Sequence, residues 1–511
     1  MRPPERPTVM RRMTRERSAG LAWVALIVGL VMGPVAAVAA VSAVAAVAAV
    51  SAVAAESRPN IVFIMADDLG YGDLGCFGQK RIRTPNIDRL AAEGMKLTDF
   101  YAGSTVCAPS RCVLMTGLHT GHCFIRGNGK INLRPGDVTI AEVLQQAGYT
   151  CGLSGKWGLG HEGSSGLPTR QGFDHFFGYL DQHHAHNYYP SFLVRGELRV
   201  RLRNEVPGEG KFGQGVATRQ VDYSHDLIMT DALGWLEEVH KRPFFLYLPV
   251  TIPHANNEAG RKGMEVPELG EYAKTDWPEV QKRTAAMISR LDRDVGRLMS
   301  MLRRLGIDRN TVVFFTSDNG PHREGGNNPE FFDSNGKFRG IKRALYEGGI
   351  RVPTIVRWPG RIAAGSTSQV MGSFADVLPT LAELAGAKVS QRLDGLSIVP
   401  TLTGNAKEQK LHKYLYWEFY EGGGARAVRM GQWKAVGKSL DGKQLELYHL
   451  GSDPGERKNV AAEHPEIVAR ALAAMQDAHT PSPMWKVRGR HKAGKKTGTG
   501  NSIDGSREPK R

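Results

Sequence analysis

A cysteine and an arginine one helical turn apart are the residues of this sequence best suited to chemistry. The stretch Cys107–Arg111 reads CAPSR, and an apolar run follows it as far as Thr116 and Gly117. The proline two residues after the cysteine predicts a turn that opens a helix, whose first amides lack intrahelical acceptors. The side chain of Cys107 would then lie where negative charge is favoured, with Arg111 one turn further on the same face. The alternative for an isolated cysteine is a small buried thiol, but the added arginine favours a site for a tetrahedral anion.

Two apolar runs far apart in the sequence both end in polar residues that could bind a cation. The runs, residues 60–65 and 311–316, lead into the pairs Asp67-Asp68 and Asp318-Asn319. Continuous apolar runs predict buried parallel strands, and open α/β sheets place ligands at the carboxyl ends of such strands. Adjacent aspartates before a glycine are by themselves typical of a turn. The repeated arrangement instead predicts a site of three carboxylates and one amide, ligands that suit calcium or magnesium rather than zinc.

The motif Cys-x-Pro-Ser-Arg followed by Thr-Gly resembles the signature of the sulfatases, and related motifs extend along nearly the whole chain. The resemblance implies an arylsulfatase-like sulfuric ester hydrolase in which Cys107 is converted to formylglycine (3-oxoalanine) by a formylglycine-generating enzyme. It also implies one calcium, with magnesium as the alternative, bound by residue 107 together with Asp67, Asp68, Asp318 and Asn319. A tyrosine-phosphatase loop is excluded because Val113 occupies the position of its arginine.

Two lysines and a histidine complete the predicted catalytic set. Lys156 lies in the segment GKWGLGH, and Lys342 lies in GIKRALYEGGIRVP, which matches a second sulfatase signature. A lysine between glycines is usually a solvated loop residue, but the resemblance implies that Lys156 and Lys342 contact the substrate sulfate beside Arg111. His254 follows a predicted buried strand, residues 243–249, and the resemblance makes it the general acid for the departing alcohol.

One position departs from the family pattern, and several histidines are candidates for the pocket wall. Sulfatases commonly carry a histidine where this chain has Gly158. The base that regenerates the free enzyme is therefore unassigned, and His161 is the candidate substitute. Residues 182–189 are dense in side chains that hydrogen-bond or stack on sugars, although a plain polar loop would look similar. The residues predicted to line the substrate pocket are His161, His184, His186 and His322.

The elements that must position these residues indicate an α/β fold. Predicted strands alternate with helices such as residues 280–305, which predicts a large, mixed, mostly parallel sheet between helices, as in the alkaline-phosphatase-like superfamily. From residue 411 onward, short aromatic strands and one helix predict a smaller C-terminal antiparallel sheet. The predicted division is a signal peptide or membrane anchor (1–55), a catalytic domain (56–410), a C-terminal subdomain (411–485) and a disordered basic tail (486–511).

The distribution of charge argues against a nucleic-acid partner. The 511-residue chain has a formal charge of +16, but residues 1–17 carry +4 and residues 486–511 carry +7, which leaves +5 for everything between. The arginine-rich N-terminus followed by an uncharged segment predicts export to the periplasm or the extracellular space. A membrane contact would follow only if that segment is retained as an anchor.

The five cysteines establish no disulfide, since four would remain after conversion of Cys107 and four allow three pairings. The predicted substrates are sulfated carbohydrates or aryl sulfates. Two alternatives remain at this point: a phosphomonoester, phosphodiester or phosphonate-ester hydrolase of the same superfamily, and an unmatured, non-catalytic binding protein.

Overall fold

A computed structural model of the protein describes residues 58–440 and 444–486. The predicted signal segment (1–55) and all but the first residue of the predicted basic tail (486–511) lie outside the described residues. Within the described part, no helix combines the length and the apolar character needed to cross a membrane.

The described chain contains short strands distributed over its whole length. In chain order they are β1 (Asn60–Ala66), β2 (Met95–Leu97), β3 (Phe100–Tyr101), β4 (Thr150–Lys156), β5 (His175–Tyr179), β6 (Phe192–Arg195), β7 (Leu198–Arg201), β8 (Phe244–Pro249), β9 (Thr311–Ser317), β10 (Thr354–Arg357), β11 (Ser366–Ser368), β12 (Gly372–Ser373), β13 (Leu415–Phe419), β14 (Ala425–Met430), β15 (Trp433–Gly437) and β16 (Leu445–His449).

Helices separate many of these strands. In chain order the α-helices of the described residues are α1 (Pro85–Ala92), α2 (Cys107–Thr116), α3 (Ile140–Gln146), α4 (Ser224–Val239), α5 (Glu279–Arg304), α6 (Pro329–Phe332), α7 (Glu347–Ile350), α8 (Val377–Ala385), α9 (Val399–Leu402) and α10 (Pro465–Asp477).

Ten strands form one large sheet whose centre is parallel. Their order from one edge to the other is β11, β2, β10, β9, β1, β8, β4, β5, β6, β7. Only β10 and β6 run against the common direction. The central strand β1 pairs in parallel with β9 on one side and β8 on the other, so the carboxyl ends of all three meet at one edge. The predicted fold class is confirmed.

The sheet lies between two apolar layers because alternate side chains of β1 point to opposite faces. Ile61, Phe63 and Met65 pack in one layer with residues of α2, α3 and α8. Val62 and Ile64 pack in the other layer with residues of α1, α4 and α5. Both layers are buried, which explains why the central strands are continuous apolar runs.

The four C-terminal strands form the predicted antiparallel sheet, in the order β13, β14, β15, β16. Helix α10 packs on one face of this sheet. On the other face, the fully buried amine of Lys434 lies 2.8 Å from Glu347 Oε1 and 3.0 Å from Glu456 Oε1. These buried charges connect the small sheet to helix α7, which begins at Glu347.

Strand β4 ends at Lys156, because its pairing with β5 continues to the residue pair Lys156 and Tyr179. A lysine between glycines is usually a solvated loop residue, but Lys156 is a buried strand end. Helix α8 begins at Val377, after a short 3₁₀ turn over Phe374–Asp376.

Candidate active site

The two acidic strand ends predicted from the sequence lie side by side. β1 and β9 pair up to Ala66 and Ser317, so the residues that follow them are neighbours. The backbone N–H of Asp68 donates to Asp318 Oδ1 at 3.1 Å, and Asn319 Nδ2 donates to Asp68 Oδ1 at 2.6 Å. Asp68 has a φ of 64°, in the left-handed region that aspartate tolerates better than most residues. This turn aims its carboxylate into the site.

Cys107 is the first residue of helix α2 and lies against this acidic group. Its Sγ is 3.5 Å from Asp67 Oδ1, and the residue is 3% exposed. Burial and the Asp67 carboxylate raise the pKa of the thiol. A thiol held in its neutral form is a weak nucleophile. The unmodified side chain is therefore poorly suited to attack an ester itself.

Three buried cations surround the acidic group, and each contacts a different carboxylate. Arg111 Nη2 lies 2.8 Å from Asp318 Oδ2, and Arg111 Nη1 donates to the Lys156 carbonyl at 2.6 Å. Lys156 Nζ donates to Asp67 Oδ2 at 2.6 Å. Although burial opposes ionisation, the charge of Lys156 and its cationic neighbours holds the pKa of Asp67 well below its usual range.

Lys342 is the third of these cations. Its Nζ donates to Asp68 Oδ2 at 2.7 Å and lies 3.0 Å from His254 Nε2. Although burial disfavours the charged amine, the carboxylates of Asp68 and Glu324 raise the pKa of Lys342. The three positive groups thus converge on Cys107 from helix α2, strand β4 and the loop before α7.

His254 is held in one tautomer by its neighbours. Its Nδ1 lies 2.7 Å from the Ala255 carbonyl, which accepts only from a protonated nitrogen. Burial and the charge of Lys342 lower the pKa of His254. In the neutral ring, Nε2 therefore carries the lone pair and accepts from Lys342. Any proton that reaches Nε2 comes from this amine or from solvent.

Two of the predicted pocket histidines stack on His254. The His186 ring lies 5.0 Å from it at an interplanar angle of 10°, and the His322 ring lies 5.7 Å away at 22°. His186 Nδ1 contacts Glu258 at 3.1 Å, and His322 Nδ1 lies 3.2 Å from Glu324. The structure therefore brings His186 and His322 to His254.

The other two predicted pocket histidines are placed differently. His184 is 2% exposed, and its ring packs against Tyr179 and Phe192, with centroids 4.8 and 4.4 Å away. His161 Nε2 is paired with Asp181 Oδ2 at 2.8 Å. His184 thus packs behind the site, and His161 is partly exposed beside Asp181. No contact between His161 and Cys107 occurs among the described residues.

The space beside Gly158 is filled by another side chain. Gly158 has a φ of 77°, and a Cβ there would lie 1.9 Å from Gln182 Nε2. That amide donates to the Gly158 carbonyl at 3.3 Å. Gln182 therefore takes the place of a side chain at position 158, directly after Lys156 and Trp157. An amide is not a base at neutral pH, so Gln182 does not replace a histidine chemically.

Asp67, Asp68 and Asn319 offer buried oxygen atoms of the kind that suits a hard divalent cation. Asp67, Asp68, Cys107 and His254 each offer a ligand atom within 4.8 Å of the others. The Asn319 Oδ1 atom is buried and has no hydrogen-bond partner among the described residues. A buried oxygen of this kind is costly unless a ligand satisfies it. Carboxylate and amide oxygens are what calcium and magnesium prefer.

A second cluster of possible metal ligands lies outside this site. His119, His122 and Asp394 converge, with His122 Nδ1 at 2.8 Å from Asp394 Oδ2. His119 Nδ1, however, accepts from the Gly121 amide at 3.2 Å, so a neutral ring carries its proton on Nε2. That proton occupies the atom a metal would need. The cluster is better explained as a set of hydrogen bonds that joins the segment after α2 to the loop containing Asp394.

Comparisons with known proteins agree with this fold. The family model described as Sulfatase matches residues 59–387, and the model described as N-sulphoglucosamine sulphohydrolase, C-terminal, matches 336–478. Arylsulfatase A of Homo sapiens is 35% identical, covering 82% of this chain and 87% of its own. N-acetylgalactosamine-6-sulfatase of Mus musculus is 33% identical, covering 83% and 86%.

Among solved structures, Ps i-CgsB in complex with k-i-k-neocarrahexaose has a TM-score of 0.71 and 27% identity, covering 84% of this chain and 95% of its own. Fold and site place the protein in the alkaline-phosphatase-like superfamily. Within that superfamily the chain belongs to the sulfatase family, and it is a sulfuric ester hydrolase.

Sequence reasoning missed several residues that contact the site. Glu324 faces both His322 and Lys342, Glu258 holds His186, and Gln182 fills the space beside Gly158. Glu324 lies two residues after His322, and that proximity to a predicted pocket residue was a usable signal. The other two lie in segments whose positions depend on the fold, and nothing local in the sequence marks them.

Proposed function

We propose that this enzyme hydrolyses sulfate monoesters of carbohydrates, and that aryl sulfates serve as assay substrates. The observation that carries the proposal is the convergence of three carboxylates, one amide and three cations around residue 107. A sulfated carbohydrate is supported by the ring-rich wall formed by His186, His254 and His322 and by the neocarrahexaose complex of a structural relative. The reaction is R–O–SO₃⁻ + H₂O → R–OH + SO₄²⁻ + H⁺.

The residues proposed to hold the cation are Asp67, Asp68, Asp318 and Asn319, together with residue 107. A bound calcium or magnesium would polarise the sulfate oxygens. The aldehyde hydrate formed from Cys107 would supply two hydroxyls on one carbon, one as nucleophile and one whose proton loss releases sulfate without attack by water at sulfur. A serine has one hydroxyl and lacks the second function.

The chain's own cations bind and orient the substrate. In the proposed complex Arg111, Lys156 and Lys342 exchange part of their carboxylate contacts for sulfate oxygens. All three are at least nine-tenths buried, so their charges act in a medium that screens them weakly. They also hold the sulfur atom in front of residue 107, which converts a bimolecular attack into an intramolecular one.

The departing alcohol receives its proton from the pair formed by His254 and Lys342. Because Nδ1 of His254 donates to a carbonyl, only Nε2 faces the site. Lys342 lies 3.0 Å from Nε2, so a proton on the amine can pass to the ring and from the ring to the leaving oxygen. His254 is thus the general acid only together with this lysine.

The proposal is tested by the chemical state of residue 107 and its consequence for turnover. The protein is purified after coexpression with a formylglycine-generating enzyme, and the peptide containing residue 107 is weighed by mass spectrometry. We expect the mass of an aldehyde in place of CH₂SH, together with hydrolysis of 4-nitrophenyl sulfate. An unmodified thiol in protein that is nevertheless fully active would contradict the proposal.

Cys107→Ser is the matched variant, because it keeps a hydroxyl and a similar volume. It should complete at most one turnover and retain covalent sulfate on the serine, whereas Cys107→Ala should retain none. Steady turnover by the serine variant at the parental rate would refute the need for two hydroxyls.

Export and maturation are part of the same proposal. The arginine-rich N-terminus followed by an uncharged segment supports delivery to the periplasm or the extracellular space. The division into a catalytic domain over 56–410 and a C-terminal subdomain over 411–485 likewise stays a prediction. Limited proteolysis of the purified enzyme would test the boundary, because exposed links between domains are cleaved first.

A further inference from the structure

Two pairs of aromatic rings, joined by the carboxylate of Asp181, lead outward from His254. We define this ring strip as His186, His183, His161 and Phe212. The His186 ring stacks on His254, the His183 ring lies 5.6 Å from His186, and the Phe212 ring lies 5.4 Å from His161. None of these side chains takes part in the proposed chemistry at sulfur. The arrangement of these two ring pairs beside the site therefore needs another explanation.

One carboxylate holds the middle of the ring strip in place. Asp181 contacts His161 Nε2 through Oδ2 at 2.8 Å and His183 Nδ1 through Oδ1 at 3.3 Å. Asn132 Oδ1 lies 2.7 Å from the other ring nitrogen of His161. Because the rings are braced by hydrogen bonds, they present fixed faces. Fixed ring faces are what a sugar stacks on at low entropic cost.

Two lysines flank the outer end of the strip. Lys130 Nζ lies 4.8 Å from the centroid of the Phe212 ring, and Lys211 Nζ lies 5.7 Å from it. Both residues are exposed, and neither forms an ion pair with any residue of the described ranges. Two amines beside one aromatic ring, with no acid of the described residues paired to either, provide positive charge for an external anion.

The Lys130 loop also borders the catalytic residue. Asn128 Oδ1 accepts from the backbone N–H of Ala108, the residue after Cys107, at 3.0 Å. Consecutive Cα atoms are about 3.8 Å apart, so the backbone of Lys130 lies within about 8 Å of Asn128. The loop thus runs from the nucleophile to the outer lysine. A substrate that fills the site and extends along the strip would reach both amines.

Resting on the proposed function, we infer that the ring strip with Lys130 and Lys211 is a subsite for a second anionic group of the substrate. The occupant is a carbohydrate unit adjacent to the one whose sulfate is cleaved, bearing a sulfate or a carboxylate. Its ring stacks on the strip, and its anion contacts the two amines. The preferred substrate is therefore a polyanionic glycan and not a singly charged ester.

The test compares substrates that differ only in the second anion. Three are needed beside 4-nitrophenyl sulfate: an oligosaccharide with one sulfate, the same oligosaccharide with a second sulfate on the neighbouring unit, and one with a uronate carboxylate there. In Lys130→Ala/Lys211→Ala, KM should rise about fivefold to tenfold for the doubly charged substrates, as expected for loss of two exposed ion pairs. The constants for 4-nitrophenyl sulfate and the singly sulfated sugar should stay unchanged.

Two further double variants separate this role from general effects of charge. Lys130→Arg/Lys211→Arg keeps both positive charges and should retain the parental KM. Lys388→Ala/Lys407→Ala removes two exposed lysines elsewhere on the chain and should leave every substrate unaffected. Raising the salt concentration should narrow the preference of the wild type for two anions, because exposed pairs are screened.

The inference is overturned if the Lys130→Ala/Lys211→Ala variant changes KM equally for singly and doubly charged sugars, or changes neither. A different result would count against the proposed function instead. Wild-type protein with an aldehyde at residue 107 that cleaves none of the sulfate esters would refute sulfatase action itself, whatever the lysine variants do.

Discussion

The proton donor of the leaving alcohol gives the sharpest prediction of the site. His254→Asn removes the Nε2 atom that faces Lys342 but keeps an amide N–H able to donate to the Ala255 carbonyl, which Nδ1 now contacts at 2.7 Å. Lys342 stays paired with Asp68 at 2.7 Å and retains its charge. The variant therefore loses proton delivery through the ring while sulfate binding persists.

The size of the loss should depend on the leaving group. General acid catalysis contributes about 10²-fold to 10⁴-fold, or roughly 3 to 5 kcal/mol of the barrier. An alkyl or sugar alcohol needs the full contribution because its alkoxide is a strong base. 4-Nitrophenolate is stable without a proton, so kcat for 4-nitrophenyl sulfate should fall by less than about tenfold.

The assay is a comparison of kcat for the two substrate classes in wild type, His254→Asn and Lys342→Met. The lysine variant loses both a sulfate contact and the proton source, so it should slow both substrates severely. Equal losses for the two classes in His254→Asn would refute the assignment of His254 to the leaving group. A thermal unfolding curve close to that of the wild type excludes a folding defect as the cause.

Three further predictions concern Gly158, the metal and a histidine outside the site. Gly158→Ala should lower the unfolding free energy by about 1 to 2 kcal/mol and reduce kcat, because it places a Cβ at positive φ against Gln182. Thermal denaturation measures the loss of stability, and steady-state kinetics measure the loss of kcat. An unchanged melting temperature would contradict this prediction. Dialysis against a chelator should abolish activity, and only a hard divalent cation such as calcium or magnesium should restore it. The oxygen-ligand site would be contradicted if neither calcium nor magnesium restored activity, or if activity returned without any added metal. Although burial opposes charging, Asp376, 2.7 Å away, raises the pKa of His412, so this pair should contribute stability below about pH 6.5, the ordinary histidine pKa, that is lost as the pH rises through the higher folded-state pKa. The difference in melting temperature between wild type and His412→Asn should accordingly shrink from pH 6 to pH 9, and a constant difference would be inconsistent with it.

The parts of the site that the sequence predicts are those set by strand direction. Parallel strands share an edge, so two apolar runs that each end in acids place those acids together, as the contact between Asp68 and Asn319 shows. The helix that starts at Cys107 is likewise local, because Pro109 and the following apolar run specify it. In both cases, short-range patterns determine the geometry.

The parts that sequence reasoning did not reach depend on pairing between distant segments. Lys156 was expected in a loop, but β5 extends the strand and buries the lysine at its end. His184 and His186 lie in one short 3₁₀ turn, yet only His186 faces His254, while His184 points into the packed wall. The orientation of this turn relative to the sheet decides which of the two histidines faces the pocket. The composition of the segment does not predict that orientation.

The balance of charge at the site explains why it suits a sulfate ester. Three carboxylates are matched by three cations, and these groups are Asp67, Asp68, Asp318, Arg111, Lys156 and Lys342. With a divalent cation bound, the site has a net charge of about +2 by formal count. A sulfate monoester enters with one negative charge and leaves as a sulfate with two, so the attraction grows along the reaction. A phosphate monoester already carries about two charges when it binds, so less of the interaction remains for the transition state. The same groups should therefore accelerate sulfate transfer more than phosphate transfer, and the ratio of the two rates measures the difference directly.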